Sequence, residues 1–163
     1  MPSQGTGLDV WIMPMDGSRQ VRPFVQTKFN EDSPRFSPDS RWLAYVSKET
    51  GAPEVYAQPF PGPGRRVRIS TGGGTLPIWS RDGRELYYRE GTGLIAVKVS
   101  TAAVDLASQR PERLFRRSTR DPYDVASDGR FLMMEPVEAK AAPAPIAIVL
   151  NWLDELKARL PPK

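Results

Sequence analysis

The stretch "FSPDSRWLAYVS" occupies residues 36–47, and the chain repeats it twice, as "WSRDGRELYYRE" at 79–90 and as "VASDGRFLMMEP" at 125–136. In each copy a large or branched apolar residue is followed by Ser or Ala, any residue, Asp, Gly or Ser, Arg, any residue, Leu and two more large or apolar residues. Aligned on their aspartates, the copies are 43 and 46 residues apart. A strand-rich unit that recurs every 40 to 45 residues or so is typical of β-propeller blades. The sequence therefore predicts an all-β fold built from repeated blades.

A second repeat lies out of phase with the first. "DVWIMPMDG" at 9–17 matches "EVYAQPFPG" at 54–62, an offset of 45 residues. Because 54–62 follows the first aspartate copy within its own repeat, 9–17 belongs to a unit whose earlier part is not in the chain. The sequence thus predicts that the chain begins with the third and fourth strands of a blade.

One complete unit can be divided into four short strands. "PRFS" (34–37) and "RWLAYVS" (41–47) flank a tight turn, "EVYAQPF" (54–60) is the third strand, and "RRVRIS" (65–70) is the fourth. Aromatic and β-branched residues favour the strands, and Gly, Pro and Asp favour the turns between them. With 17 Pro and 13 Gly in 163 residues, the composition also favours short elements and tight turns.

The predicted organisation is a single propeller segment of about three antiparallel blades. It consists of a half blade at 8–27, complete blades at 34–71 and 77–117, an incomplete blade at 123–152, and a short C-terminal helix at 152–160. The helix is predicted from apolar residues spaced along one helical face, from Asn151 as N-cap and from two prolines that end it.

The composition excludes several kinds of chemistry. The chain has no His and no Cys, so catalysis by Ser-His-Asp or Cys-His groups and metal sites with His or Cys ligands are excluded. We expect no catalytic residues, no metal and no cofactor. The net charge of +4 is modest and does not by itself indicate a nucleic-acid partner.

The sequence also offers no membrane-inserting segment. The longest apolar run, at 141–150, has ten residues and two prolines, and about 20 apolar residues are needed to cross a bilayer. Met1 is not followed by the pattern of a signal peptide. The compartment stays open: cytoplasmic if Met1 is the natural start, and outside the cytoplasmic membrane if the chain is part of a membrane kinase.

The stretch "PRFSPDSRWLAYVS" resembles the repeat of TolB-like and WD-repeat-like β-propellers. The resemblance extends to the C-terminal propeller region of bacterial eukaryote-type serine/threonine kinases, which has runs similar to "STGGGTLPIWSRDGRELYY" and "IAIVLNWLDELK". It implies a propeller fold, a sensing or protein-binding role, and no catalytic residues in this region. The chain departs from the family pattern at Ser40, where Gly is usual, and in its blade count, since the family propeller has six or more blades.

About three blades do not close a ring, and open sheet faces and edges favour association. Three outcomes are open. The chain is a piece of a longer propeller, or two copies build a homodimeric ring of six or seven blades, or the segment stays open with its helix covering one end.

Two sets of residues are singled out as candidates. The three repeated aspartates, Asp39, Asp82 and Asp128, are interpreted as turn residues, because they fall on three different blades and do not converge on one ion. Two basic runs on the outer strands could face a partner, or could serve to discourage sheet-to-sheet association. The runs comprise Arg65, Arg66, Arg68, Arg113, Arg116, Arg117 and Arg120.

Three further patterns are interpreted as structural. The run "GTGLIAVKVS" (91–100) resembles a kinase glycine loop with Lys98 as its lysine, but the full pattern is absent. "STGGGT" (70–75) could cradle a phosphate through its amides, yet it lacks the lysine and spacing of a P-loop. The large aromatics of the first two strands are expected to pack between blades. They are Trp42, Tyr45, Trp79, Tyr87 and Tyr88.

Three hypotheses about function therefore follow from the sequence. The first is a non-catalytic binding or sensor module for a protein or ligand. The second is a structural propeller that closes by self-association and has no dedicated ligand. The third is an accessory propeller of a TolB-like peptidase.

Overall fold

The computed structural model describes residues 7–100, 107–116 and 122–134. All regular elements in these ranges are β-strands, which confirms the predicted all-β fold. Nothing in the same ranges is a helix long and apolar enough to cross a bilayer. The predicted C-terminal helix at 152–160 and the strand before it lie outside the described residues.

The described residues form thirteen strands. In chain order they are β1 (Val10–Ile12), β2 (Arg22–Val25), β3 (Glu31–Phe36), β4 (Trp42–Ser47), β5 (Glu54–Pro59), β6 (Val67–Arg68), β7 (Thr75–Trp79), β8 (Glu85–Glu90), β9 (Gly93–Ser100), β10 (Ala107–Ser108), β11 (Glu112–Arg116), β12 (Tyr123–Val125) and β13 (Phe131–Met133).

The strands form four antiparallel sheets that follow one another along the chain. β1 and β2 form the first pair, β3 to β6 the first blade, β7 to β11 the second blade, and β12 and β13 the last pair. In the first blade consecutive strands are neighbours, and in the second blade the same holds from β7 to β9, with β10 and β11 both pairing with β9. Each blade is therefore a meander. The four-stranded antiparallel blades at the centre of the series are those of the predicted fold class.

The outer strand of the second blade is split in two. β10 pairs with the end of β9, at Val99 and Ser100, and β11 pairs with its beginning, from Gly93 to Ala96. Pro111 lies between the two pieces and has no N–H to donate to β9. The interruption therefore falls where the ladder would lack a hydrogen bond, and β10 and β11 together fill one strand position.

The innermost strands of the two blades contain the same irregularity. The register shifts between Asp32 and Arg35 in β3 and between Thr75 and Ile78 in β7. Ser33 and Leu76, which are 43 residues apart, adopt positive φ angles of 54° and 52°. Such bulges increase the local twist of a strand, so the repeat extends to an unusual backbone conformation.

Three hydrophobic cores lie between successive sheets. The largest lies between the two blades and contains Trp42, Ala44, Val46, Val55, Ala57, Ile69, Trp79, Leu86, Tyr88, Ile95, Val97 and Val99. A second lies between the first pair and the first blade, around Tyr45 and Tyr56. The third lies between the second blade and the last pair, around Tyr87 and Tyr123. Each blade thus has two buried faces, as expected for stacked propeller blades.

One polar bond also joins the two blades. The indole Nε1 of Trp79 donates a hydrogen bond to the backbone carbonyl of Arg35, at 3.1 Å. The indole is buried in the core between the blades. It therefore fixes the innermost strand of one blade against that of the next.

The connections between strands collect at two ends of the sheets. The turn end contains the repeated aspartate turns, at 37–41, 80–84 and 126–130. The loop end contains the connections at 48–53, 69–74 and 91–92. These two ends hold the candidate sites described next.

Candidate binding site

The first repeated turn is closed by side chains as well as backbone. The hydroxyl of Ser37 donates to Asp39 Oδ1 at 2.6 Å and accepts from the amide of Trp42 at 2.9 Å. Asp39 Oδ1 also accepts from the amide of Arg41 at 3.1 Å. Asp39 is thus placed as a turn residue, because its carboxylate satisfies donors of its own turn.

The second turn repeats these bonds with its own residues. Ser80 donates to Asp82 at 2.7 Å and accepts from the amide of Glu85 at 2.9 Å, and Asp82 accepts from the amide of Arg84 at 3.0 Å. Asp82 therefore occupies the same place in its turn as the first aspartate does in its own.

The third turn retains only part of the network. Asp128 accepts from the amide of Arg130 at 3.1 Å, and Ala126 stands where the earlier turns have serine. The serine hydroxyl bonds are therefore missing from this turn. The three aspartates lie on three separate turns, and in the described part of the chain no group of three or more acidic side chains is placed to hold a metal ion.

The serine hydroxyls also affect the aspartate pKa values. The hydrogen bond from Ser37 holds the pKa of Asp39 below its usual value of 3.8. The bond from Ser80 does the same to the pKa of Asp82. In both turns the cause is donation to the charged form of the carboxyl group.

The predicted partner-facing arginines lie on the outer edges of the blades. Arg65, Arg66 and Arg68 are exposed on and just before β6, and Arg113 and Arg116 are exposed on β11. The two other arginines of the second basic run, Arg117 and Arg120, lie outside the described residues.

Two of these arginines are engaged within their own blade. The guanidinium Nη2 of Arg66 donates to both carboxylate oxygens of Glu49, at 2.7 and 2.8 Å, and its Cζ lies 4.6 Å from the ring centroid of Tyr56. Arg113 makes the corresponding bond to Glu90, at 2.6 Å. These ion pairs tie each outer strand to the inner strands, so the two guanidinium groups are not free charges.

The glycine-rich stretch at 70–75 is bound tightly at the loop end. The carboxylate of Glu54, which is buried, accepts from the hydroxyl of Ser70 and, at 3.2 Å, from the amide of Gly73. The amide of Gly74 donates to the carbonyl of Pro53 at 2.7 Å. Because these amides already have acceptors, they do not form a phosphate cradle.

Lys98 does not approach the glycines that precede it in sequence. Lys98 is exposed and lies opposite Glu85 in the strand ladder, at the turn end. Gly91 connects β8 and β9 at the other end, the loop end. The resemblance of this stretch to a kinase glycine loop is therefore not reproduced in space. The large aromatics of the inner strands lie in the cores between sheets.

A residue that the sequence reasoning did not select has the most unusual environment. Arg89, in β8, is 2% exposed, and none of its three guanidinium nitrogens has a hydrogen-bond partner among the described residues. Its Cζ lies 5.5 Å from the ring centroid of Tyr123. Burial raises the pKa of the Tyr123 hydroxyl, and the nearby Arg89 cation opposes that shift.

Arg89 lines a cavity of about 240 Å³ at the loop end. The other lining residues are Pro53, Gly73, Gly74, Thr75 and Gly91. A signal for this site exists in the sequence, because alignment on the aspartates places Arg89 opposite Val46 of the first blade. Arg89 is charged where the first blade has the apolar Val46. This difference could have identified the site from the sequence.

Comparison with known proteins supports the fold. The structure is similar to TolB from Acinetobacter baumannii, with a TM-score of 0.54 and 24% identity over 73% of this chain and 29% of that one. It is also similar to a putative TolB from Agrobacterium tumefaciens, with a TM-score of 0.52 and 18% identity over 76% of this chain and 48% of that one.

In sequence, 60 residues of the chain are 38% identical to a putative tricorn protease homolog 2 from Streptomyces coelicolor. The match covers 36% of this chain and 5% of that protein, and no protein-family model matches the chain. The chain thus spans less than half the length of each of these three proteins. Its described sheets have the fold of a TolB-like β-propeller.

Proposed function

We propose that the chain is a non-catalytic β-propeller module that recognises a protein partner through the open faces at the two ends of its series of sheets. The observation that carries this proposal is the exposure of large apolar side chains on both end sheets. The absence of His and Cys from the sequence supports the non-catalytic part, because the commonest nucleophile and base pairs are then missing.

The first end face belongs to the first pair. Val10 is buried against the first blade, while Trp11, its neighbour in β1, is 50% exposed. Leu8 and Met13 are also exposed. Because successive side chains of a strand point to opposite faces, one side of this sheet packs in the core and the other presents an indole to solvent.

The second end face belongs to the last pair. Phe131 and Met133 pack against the second blade, whereas Leu132 is 73% exposed and Met134 is also exposed. Leu132 and Met134 line a cavity of about 270 Å³ beside Tyr123. Both end sheets therefore have an apolar side that no described residue covers.

Further propeller blades are the partner that fits these faces. The blades of this chain pack on each other through apolar sheet faces, and the same kind of contact would cover Trp11 and Leu132. The described residues form two blades and two two-stranded sheets, so a second copy would add about three further blades to the series. We therefore infer that a second copy of the chain is the first partner to test.

Sedimentation of the purified chain over a range of micromolar concentrations tests this proposal. We expect a reversible dimer, which Leu132→Glu and Trp11→Glu each weaken, because a charge is costly to bury in an apolar contact. Leu114→Gln, on the outer strand of the second blade, is the matched control. Wild-type chain that sediments as a monomer, and that also fails to capture further propeller blades supplied as a separate chain, contradicts the proposal.

A second candidate is a propeller that accompanies a peptidase. The match to the putative tricorn protease homolog favours it. In this version the same module admits or positions a peptide for a catalytic domain elsewhere. Cross-linking of a peptide library to the purified chain distinguishes it, because peptide would then be captured without any cleavage.

The resemblance to the propeller regions of bacterial serine/threonine kinases supports a sensor version of the first proposal. The module would then bind its ligand at a distance from the kinase domain. A fusion of the chain to such a kinase domain would show ligand-dependent phosphorylation if the sensor version holds.

A further inference from the structure

The two end sheets correspond to complementary halves of one blade. By the second repeat, β1 and β2 match β5 and β6, which are the third and fourth strands of the first blade. β12 and β13 flank an aspartate turn, as β3 and β4 do, so they match the first and second strands. The last pair thus has the inner half of a blade, and the first pair has the outer half.

The edges at which these halves would meet are apolar. In a complete blade the second and third strands are neighbours, as β4 and β5 are. In the described part of the chain, β13 and β1 each lack a partner on that side. β13 reads Phe-Leu-Met and β1 reads Val-Trp-Ile, whereas the outer strands β6 and β11 contain arginines. Edge strands without charged residues favour pairing with a further strand.

The third aspartate turn is one residue shorter than the second. The amide of Ser80 donates to the carbonyl of Glu85, whereas the amide of Ala126 donates to the carbonyl of Arg130, each at 2.8 Å. β13 is therefore displaced by one ladder position relative to an alignment on the aspartates. The displacement turns Phe131 into the core toward the second blade.

This displacement defines the register in which the two halves would join. Leu132 lies two residues beyond the carbonyl that closes its turn, as Ala44 does in the first blade. The second repeat, with its offset of 45 residues, places Ile12 at the position of Ala57. Ala44 and Ala57 lie directly opposite each other in the ladder. In a joined blade, Leu132 would therefore lie opposite Ile12.

The same joining would cover the exposed apolar residues at both ends. Trp11 has the position of Tyr56, which is buried because the preceding sheet covers it. In a joined blade the preceding sheet is the second blade of the other copy. Leu132 has the position of Ala44, which faces the following sheet. That sheet is then the first blade of the other copy.

Phe36, in the innermost strand of the first blade, is an independent indication. It is 45% exposed, whereas the equivalent Trp79 of the second blade is 6% exposed and is bonded to the preceding innermost strand at Arg35. The first pair contains only the outer half of a blade, so among the described residues no innermost strand precedes Phe36. In a joined blade, β12 of the other copy would lie at that place.

From these observations we propose that β13 of one copy pairs antiparallel with β1 of a second copy, with Leu132 opposite Ile12, so that two half blades form one four-stranded blade. This inference rests on the proposed function, because it requires a second copy, and it adds the way in which the copies join. Two copies joined at both ends have two complete blades each and two joined blades, six in all. Such an arrangement closes by twofold symmetry.

Cysteine cross-linking of the full chain tests the register, because the sequence contains no cysteine. Chains with Ile12→Cys are mixed with chains with Leu132→Cys and oxidised gently, and the linked peptides are identified by mass spectrometry. Opposite residues of an antiparallel pair have Cα atoms about 4.5–5.5 Å apart, a distance that a disulfide spans. We expect a covalent dimer that joins positions 12 and 132.

Met13→Cys is the matched control for Ile12→Cys. Met13 is the next residue in the chain and is exposed, whereas Ile12 is half-buried, so random collision favours position 13. In the joined blade Met13 points to the opposite face from Leu132, and we expect several-fold less linkage between those two positions. If a substitution prevents association, Trp11 and Met133, the next opposite pair in the same register, are used instead.

Sedimentation of the same samples under reducing conditions separates this inference from the proposed function. A dimer in which position 132 links to position 13 as well as to position 12 overturns the strand pairing and leaves the association of copies intact. A dimer with no link at position 132 also overturns it, as expected if the run at 146–152 of the same chain pairs with β13. A chain that remains a monomer overturns both the pairing and the choice of a second copy as partner.

Discussion

The first and second blades have the same backbone arrangement and differ in the side chains of one face. Their turns use the same serine and aspartate bonds, and their innermost strands have the same bulge at equivalent positions. The second strand of each blade, β4 or β8, has one face toward the following sheet. The residues on that face differ between the two blades. In β4 it consists of Trp42, Ala44 and Val46, and in β8 of Glu85, Tyr87 and Arg89.

This difference shows which properties of the repeat are separable. The turns and bulges determine where the strands run, and they do so in both blades despite different core residues. The facing residues determine what each contact between sheets can do. The contact between the blades is an apolar core, whereas the contact after the second blade contains a carboxylate bonded to Tyr87 at 2.6 Å and a buried guanidinium. A repeat can thus keep its backbone architecture while one contact between sheets acquires the polar groups of a candidate site.

The largest effect is expected when the arginine of the second blade is placed at the equivalent position of the first. Val46 is buried in the apolar core between the blades, and Val46→Arg both overpacks that core and buries an unpaired charge. We expect a loss of about 4–8 kcal/mol in the free energy of unfolding, measured by urea denaturation. Val46→Met, which adds volume without charge, should cost about 1–3 kcal/mol. If Val46→Arg and Val46→Met lowered the free energy of unfolding equally, the core between the blades would tolerate a charge as well as the contact around Arg89 does.

The next largest effect concerns the indole at the start of β4. Trp42 is 2% exposed and lies in the core between the blades. Trp42→Ala should lower the free energy of unfolding by about 3–5 kcal/mol, because it leaves a large cavity. Trp11→Ala makes the same chemical change at a half-exposed site and should cost less than about 1 kcal/mol at protein concentrations where the chain is monomeric. Comparable losses at the two sites under those conditions would show that Trp11 is covered within the single chain.

A smaller effect is expected at the turn position where the blades differ. Ser40 has a φ of 56°, and the equivalent Gly83 has a φ of 69°. Residues with a side chain are disfavoured in this conformation, so Ser40→Gly should stabilise the chain by about 0.5 kcal/mol after the entropy of glycine is subtracted. The reverse exchange, Gly83→Ser, should destabilise it by a similar amount. Thermal unfolding of the two single variants and the double variant measures both.

The smallest effect is a pH dependence that arises in the turns. Hydrogen bonds from Ser37 and Ser80 lower the folded-state pKa values of Asp39 and Asp82. A lowered pKa stabilises the fold above the ordinary value of 3.8 and ceases to do so as the pH falls through the folded-state value. Asp39→Asn should therefore reduce the loss of stability between about pH 6 and about pH 3. An unchanged acid limb in urea denaturation would contradict this assignment.

Much of the fold could be predicted from sequence because its determinants are local. The strand β4 (Trp42–Ser47) lies within its predicted range of 41–47, since aromatic and branched residues follow a tight turn with a definite aspartate. The strand β6 is shorter than the predicted 65–70, because only Val67 and Arg68 reach the ladder of β5. The bulge at Leu76 was not predicted, since a positive φ at a leucine depends on the neighbouring strand and not on the local sequence.

The candidate site was less predictable than the fold. The basic runs attract attention in a sequence because like charges cluster there, yet Arg66 and Arg113 have their partners within the blade. Arg89 stands alone between a tyrosine and a glutamate, and its burial depends on which face of β8 meets the last pair. Only the stacking of sheets, which involves residues far apart in the chain, reveals that this arginine is enclosed.

The bond between the indole of Trp79 and the backbone of Arg35 has a practical consequence for spectroscopy. Trp42 lies in the same core, so two indoles occupy the contact between the blades, while Trp11 is half exposed on the first pair. If the blades part, Trp79 exchanges a carbonyl partner for water, and its fluorescence emission shifts to longer wavelength. With Trp11 and Trp152 both replaced by phenylalanine, the emission wavelength becomes an intrinsic reporter of whether the two blades remain together.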